Sequence, residues 1–239
     1  MFVNKLKSFY SLFRLCLKLT FSRRFLFFVI GTLTWFALRI GWSYQQQSQG
    51  NEPMDVTDVL NGVLALPGII LVVIMSMQTV TFERDNRTLE VLYCMPGSRF
   101  SIWIIKMLTL YLAVFIDMLL LAGLSYLFVA DFNVVAMAFH AMFPLLVFGA
   151  MTLLFSLIFK SGNAAGMLAI IVIIITIITA GGWYRSPYFP FINPFNPPSD
   201  IDPWEWFTLV LQNRILMVGI ASVLIFISLR LLDSRERLL

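Results

Sequence analysis

Hydrophobic residues form six long runs along the 239-residue chain, and short polar stretches separate them. Each run reaches about 20 residues, the length that an α-helix needs to cross the hydrocarbon core of a bilayer. The predicted spans are residues 25–44, 59–80, 100–129, 134–159, 164–183 and 207–229. The third would be about 45 Å long as a helix, so we expect it to tilt or to begin outside the membrane. The pattern predicts an all-α integral membrane protein with one domain, residues 1–239.

Composition supports this class and excludes two others. Hydrophobic residues make up 59% of the chain and charged residues 13%, whereas a soluble domain has about 45–50% and about 25%. An ordinary soluble domain and a disordered chain are therefore excluded. Two cysteines form no disulfide framework, and the single histidine, His140, excludes a histidine-rich metal site.

Residues 1–24 precede the first span and combine basic with apolar positions. Lys7, Ser11, Arg14 and Lys18 fall on one helical face, opposite Leu6, Phe9, Phe13, Cys16 and Leu17. This pattern favours an amphipathic helix that lies in the membrane interface. The alternative is that these residues are only the positive flank of the first span.

The distribution of basic residues predicts the orientation. Of the 17 Lys and Arg residues, 14 fall on one side if both termini are cytosolic, and only Arg39, Arg185 and Arg214 fall on the other half. Cytosolic loops carry the excess of Lys and Arg, so we expect both termini inside a plasma membrane, which is the inner membrane in a bacterium. The net charge of +4 is thus a topology signal, and we expect no nucleic-acid partner.

Six polar residues lie inside the predicted spans, where polar groups are costly. They are Asn61, Gln78, Asp117, His140, Arg39 and Arg214. One interpretation is a polar lining of a transport path or a proton-linked group. The alternative is structural: a buried pair such as Asp117 with Arg214, or an Arg39 side chain that extends to the membrane surface. Pro67 and Pro144 predict kinks within their helices.

The sequence between the second and third spans, residues 81–99, is the largest polar loop on the cytosolic side. A short helix ended by Pro96–Gly97 would expose charges and carry an apolar ridge, a combination suited to docking a partner. The residues involved are Glu83, Arg84, Arg87, Thr88, Leu89, Glu90 and Leu92. The alternative is a plain solvated loop.

This loop resembles the signature of type-2 ABC transporter permeases, also called type V exporters. The matching residues are Glu83, Thr88, Glu90, Leu92, Pro96, Ser98, Arg99 and Lys106, while Arg87 occupies the usual glycine position. The layout is similar over the whole chain: an interfacial helix, six spans, and a proline-rich segment before the sixth span. The tail 233–239 also resembles the family's ending.

The resemblance implies how such a chain works. Two permease halves, identical or different, pair in the membrane, and two copies of a separate ATPase dock on the loops at 81–99. ATP and Mg²⁺ would bind to the ATPase, and this chain would bind no cofactor. The proline-rich segment 184–206 would form a re-entrant outer cap of two short helices. The residues themselves point the same way, because the prolines exclude a long helix and Phe189, Phe191, Phe195 and Trp204 are too apolar for a free loop. We therefore expect the segment to fold back at the outer membrane surface, with these four aromatic residues acting as an outer gate.

Two other function classes remain as alternatives. A six-span channel or secondary transporter not coupled to ATP would be expected to show charged rings or repeated broken helices, and neither is visible. A membrane enzyme would need catalytic motifs, but the sequence has no phosphate-binding G-x-x-x-x-G-K-[ST] loop and no G-x-S-x-G elbow. No residue identifies the substrate.

Overall fold

The computed structural model describes residues 23–50, 52, 54–85, 99–179 and 185–233, which contain helices and no strand. The helices are α1 (Arg23–Ser48), α2 (Val56–Asp58), α3 (Leu66–Asp85), α4 (Arg99–Phe128), α5 (Val134–Ile158), α6 (Gly162–Ile178) and α7 (Pro203–Asp233), and a π-helical segment, Val59–Ala65, joins α2 to α3. The predicted all-α class is confirmed. Most of the predicted interfacial helix, residues 1–22, lies outside the described residues.

Five helical stretches of 24–30 residues are long and apolar enough to cross a membrane. The helix α6 is also apolar but has only 17 residues, or about 25 Å. All six predicted spans therefore coincide with helices, and one of them is short.

Several helix ends differ from the predicted boundaries. The helix α1 continues to Ser48, beyond the predicted residue 44, and α7 runs from Pro203 to Asp233, beyond the predicted 207–229 at both ends. The helix α3 continues to Asp85, so Glu83 and Arg84 lie on helical backbone and not in a loop. The helix α6 ends at Ile178, before the predicted end at residue 183, and residues 180–184 lie outside the described part of the chain. Hydropathy marks where apolar residues stop, whereas a helix continues until its backbone loses hydrogen-bond partners.

The helix α5 lies at the centre of the bundle, where it packs against α3, α4, α6, α7 and the π-helical segment. About 67% of its most apolar window is buried, and 72% of the window in Val56–Thr79, compared with 17% for α1 and 28% for α7. The helices α1 and α7 therefore carry apolar side chains on outward faces, which need lipid or another protein to cover them.

A close contact at Gly149 lets α5 approach both α3 and α4. A Cβ atom at this position would lie 2.8 Å from the Tyr111 hydroxyl oxygen and 2.8 Å from Cγ2 of Val72. The Tyr111 hydroxyl also donates to the Leu146 carbonyl at 3.1 Å. Small residues of this kind allow membrane helices to pack with their backbones close together.

Short connections make successive helices run in opposite directions. The end of α1, the start of α2, the turn at 129–133 and the start of α7 therefore share one end of the bundle, which we call the cap end. Asn133 begins α5 there by accepting a hydrogen bond from the Ala136 amide at 3.0 Å. The predicted tight turns at 131–133 and 160–163 fall between helices as expected, although α6 already begins at Gly162.

Candidate functional site

Residues 185–202, which we call the cap segment, fold over the cap end of the bundle. The segment runs through turns and contains no helix, so the pair of short helices implied by the resemblance is not found in this described stretch. Its prolines explain this, because they remove backbone donors and cannot continue a helix. Buried Phe189 and Ile192 pack against Trp206 and Val210 of α7.

Aromatic side chains of the cap segment pack against α5. The ring of Phe191 stacks on that of Phe148 with centroids 5.8 Å apart, and Phe195 meets His140 edge to face at 5.4 Å. Trp204 is different: it is 73% exposed and stacks on Phe207. Of the four predicted gate residues, three thus point to the bundle and Trp204 stays on the outside.

Two adjacent residues of α7 hold the backbone of the cap segment. The Asn213 amide donates to the carbonyls of Pro187 at 2.7 Å and Phe189 at 2.8 Å. The Arg214 guanidinium donates through Nη2 to the Ile192 carbonyl at 2.9 Å and through Nη1 to the Asn213 side chain at 3.0 Å. Arg214 was among the intramembrane polar residues predicted from the sequence, but Asn213 was not. Two adjacent polar residues inside an apolar span could have indicated both.

Further polar contacts fix the cap segment at its middle and edge. Asn193 and Asn196 donate to the Thr57 hydroxyl at 2.8 and 3.3 Å, which ties the segment to α2. At the surface Arg185 forms an ion pair with Asp200. The hydrogen bond from Arg185 holds the pKa of the Asp200 carboxyl below its ordinary value.

A small cleft that is partly open to the surface lies between the cap segment and the bundle, with room for about one water molecule. Its lining comes from four parts of the chain: Leu60, Asn61 and Ala65 of the π-helical segment, His140, Ala141 and Pro144 of α5, Pro190, Phe191 and Ile192 of the cap segment, and Arg214 of α7. Three of the six predicted intramembrane polar residues, Asn61, His140 and Arg214, therefore meet here.

The π-helical segment places Asn61 in the cleft, and Pro67 explains why the helix widens there. Proline has no amide to donate and its ring clashes with the carbonyl four residues earlier. A π-helical turn just before the proline relieves that clash, and such turns are frequent at functional sites. The helix α1 is hydrogen-bonded to the backbone of this segment, because the Trp35 indole donates to the Gly62 carbonyl at 2.9 Å.

Arg39 of α1 also reaches the π-helical segment. Its guanidinium passes over Gly62 so closely that a Cβ atom at this position would lie 3.1 Å from Arg39 Nε. That Nε is buried without a hydrogen-bond partner. The structure therefore turns this side chain toward the bundle, and not only toward the membrane surface.

The positive charge of Arg214 is buried and incompletely compensated. The residue is 7% exposed, its guanidinium lies 4.9 Å from the centre of the Phe143 ring, and its Nε has no hydrogen-bond partner. Nδ1 of His140, in the same cleft, is also buried without a partner. Among the described residues no carboxylate forms an ion pair with Arg214.

The remaining intramembrane polar residues lie elsewhere. Asp117 is 1% exposed, accepts a hydrogen bond from Thr32 of α1 at 3.1 Å, and has a second oxygen without a partner. The suggested pair of Asp117 with Arg214 is not formed. Gln78, in the half of α3 away from the cap end, does not line the cleft.

The predicted docking loop is only partly described. Glu83 and Arg84 lie on the backbone of α3, beyond its most apolar part. Arg87, Thr88, Leu89, Glu90 and Leu92 lie outside the described residues. Within the described part of the chain, no group of three His, Cys, Asp or Glu side chains is placed to hold a metal ion.

Comparison with known proteins gives one match. The sequence profile of the ABC-2 family transporter proteins matches residues 25–230, which includes most of α1 and of α7 and every described residue between them. No curated protein and no solved structure matches the chain significantly.

Proposed function

Because the chain belongs to the ABC-2 family of transporter proteins, and is thus a multi-pass membrane permease, we propose that it forms one half of the membrane path of an ATP-driven exporter. The observation that carries the proposal is the family match over residues 25–230. The helical bundle supports it, with five helices long enough to cross a membrane and a sixth apolar helix.

We propose that two permease chains pair, each with its own ATPase subunit. The support is the distribution of burial: the apolar windows of α1 and α7 are only 17% and 28% buried in the single chain. A second permease, identical or different, would cover part of these faces and lipid the rest. ATP and Mg²⁺ would be bound by the ATPase, as the resemblance implies.

The cap end is proposed to face the outside of the cell, with both termini inside. Described acidic residues collect at this end, namely Glu52, Asp55, Asp58, Asp131, Asp200, Asp202 and Glu205, whereas most Lys and Arg residues belong to the other end or to the termini. This bias agrees with the rule that basic residues stay in the cytosol. The cap segment would then close the outer end of the path.

The ATPase is proposed to dock where α3 leaves the membrane. Because helical backbone continues to Asp85, Glu83 and Arg84 stand on a rigid extension of the second span. Through the π-helical segment the same helix reaches the cleft beneath the cap segment. A displacement at the docking loop would therefore be carried along one continuous helix to the outer end.

Charge reversal at the docking loop tests this function. In the complex purified with its ATPase, Glu83→Lys with Glu90→Lys should lower the amount of bound ATPase about tenfold or more, since like charges across an interface are strongly unfavourable. ATP hydrolysis that depends on the permease should fall with it. The control is Glu52→Lys with Glu205→Lys, the same charge change at the cap end.

Retained ATPase and unchanged hydrolysis in the docking-loop variant would refute the assignment of this loop. Loss of ATPase in both variants would also count against it, because the effect would then follow net charge and not position. Gel filtration of each variant checks that the permease remains folded.

A further inference from the structure

The cleft beneath the cap segment has the features of an anion site. Arg214 brings a full positive charge into the protein with two of its five N–H donors bonded, both to neutral oxygen atoms. A buried charge is costly unless it is paired. The described residues supply no carboxylate partner for Arg214. Its electrostatic attraction is therefore available to an anion from outside the chain.

Other groups in the cleft suit the same occupant. His140 Nδ1 is buried without a partner, and Asn61 also lines the cleft, so an imidazole N–H and a side-chain amide are available to donate to an oxyanion. The space inside the cleft accommodates about one water molecule, so the cleft as it stands is too small for an oxyanion. An oxyanion would therefore enter only as the cap segment moves away from the bundle.

We propose that this cleft binds an oxyanion, a phosphate or carboxylate group, and that binding releases the cap segment. In the structure Nη2 of Arg214 is occupied by the Ile192 carbonyl at 2.9 Å. An oxyanion would add charge–charge attraction to the hydrogen bond and can accept two parallel bonds from the guanidinium, whereas the carbonyl is neutral. An oxyanion would displace that carbonyl, and Ile192 would lose its hydrogen bond to α7, leaving only its apolar packing against that helix.

The proposal goes beyond coupling to ATP, and it concerns the permease chain alone. The oxyanion could belong to the headgroup of a lipid or to a small soluble molecule. The experiment below separates these sources. Because no ATPase is present, its failure would leave the docking test unaffected.

The test measures how fast a water-soluble maleimide reaches position 192. The full chain first has both natural cysteines replaced, by Cys16→Ser and Cys94→Ser. Ile192→Cys then introduces a single thiol, and the protein is purified in a sugar-based detergent free of lipid. Ile192 is 3% exposed, so labelling reports opening of the cap segment. Inorganic phosphate is compared with chloride at equal ionic strength, and a short-chain phosphatidylglycerol supplies a headgroup. Ser199→Cys, at an exposed position, controls for direct effects on the reagent.

We expect phosphate, the short-chain lipid or both to accelerate labelling about five- to tenfold, because an ion pair with Arg214 competes with the bond to the neutral Ile192 carbonyl. Acceleration by phosphate identifies a soluble oxyanion as sufficient, and acceleration by the lipid alone identifies a headgroup. Arg214→Lys should weaken the response, since it loses the planar fork, and Arg214→Gln should abolish it. Arg230→Gln, on the same helix at the far end, should keep it.

Equal labelling rates in phosphate, chloride and lipid would overturn the proposal without any change at Arg214. An acceleration that persists in Arg214→Gln would overturn it as well, because the anion would then act elsewhere.

Discussion

Asn213 and Arg214 are neighbours on α7 that hold successive parts of the cap segment by different chemistry. Asn213 satisfies the carbonyls of Pro187 and Phe189 with a neutral amide, whereas Arg214 bonds to Ile192 with a charged group. A segment rich in proline has few amides of its own, so these carbonyls depend on side chains for their partners. Asn213 therefore serves the packing of the cap segment, whereas Arg214 is the residue on which the proposed anion site depends.

Asn213→Ala should therefore destabilise the folded chain, because it leaves two carbonyls without donors. The expected loss is about 1–3 kcal/mol, seen as an apparent melting temperature lower by several degrees in scanning fluorimetry. Asn196→Ala is the matched control, since that side chain is exposed and bonds only to Thr57 at 3.3 Å. This role would be contradicted if the melting temperature of Asn213→Ala were as close to that of the wild type as the melting temperature of the control is.

At the level of elements, the apolar runs predicted the helices well, because a chain in lipid must satisfy its backbone within each helix. The π-helical segment Val59–Ala65 was not predicted. Pro67 indicated a kink, and the structure accommodates this proline with a π-helical turn in which the Gly62 carbonyl accepts a hydrogen bond from Trp35 of α1. A kink and a π-helical turn both suit a proline inside a helix, so the sequence alone does not distinguish them.

The same reasoning applies to the candidate site. Arg214, His140 and Asn61 could be singled out as polar residues within apolar runs, but their meeting in one cleft depends on how three helical elements pack. The inward aromatic residues Phe189, Phe191 and Phe195 were predicted from the apolar character of the proline-rich segment. Trp204 shares that character, yet it lies on the first turn of α7 and points outward.

The close packing of α5 against α3 and α4 predicts that a methyl group added at Gly149 is unfavourable. Gly149→Ala should destabilise the chain by about 1–3 kcal/mol, because the added methyl group would overlap with Val72 and Tyr111. Gly123→Ala on α4 is the matched control, since a Cβ atom there meets nothing within 4 Å. Thermal unfolding in one detergent compares the two. Equal melting temperatures would show that the contact at Gly149 relaxes without cost.

For the whole molecule, the alternating helices place the cap segment and the end of α3, where the proposed docking loop begins, at opposite ends of the bundle. Residues 54–85 run between these ends through α2, the π-helical segment and α3. A transporter driven from one side of the membrane needs a connection of this kind. The proposed orientation puts the docking loop in the cytosol, where ATP is available.

Labelling of cysteines in sealed vesicles tests that orientation. With Cys16→Ser as background, the natural Cys94 between α3 and α4 should react with a membrane-impermeant maleimide in inside-out vesicles and be protected in right-side-out ones. With Cys94→Ser also present, Ser199→Cys in the cap segment should show the opposite pattern. Labelling of Cys94 from the outside would reverse the proposed topology.

We propose that this chain is one half of a paired permease driven by separate ATPase subunits. Native mass spectrometry of the complex, purified through a tag on this chain together with its ATPase, tests this proposal by counting subunits. We expect two permease chains, either two copies of this one or one copy with a different permease, and two ATPase subunits. A transport-competent complex that contains one copy of this chain with no second permease, or no ATPase, would contradict the claim.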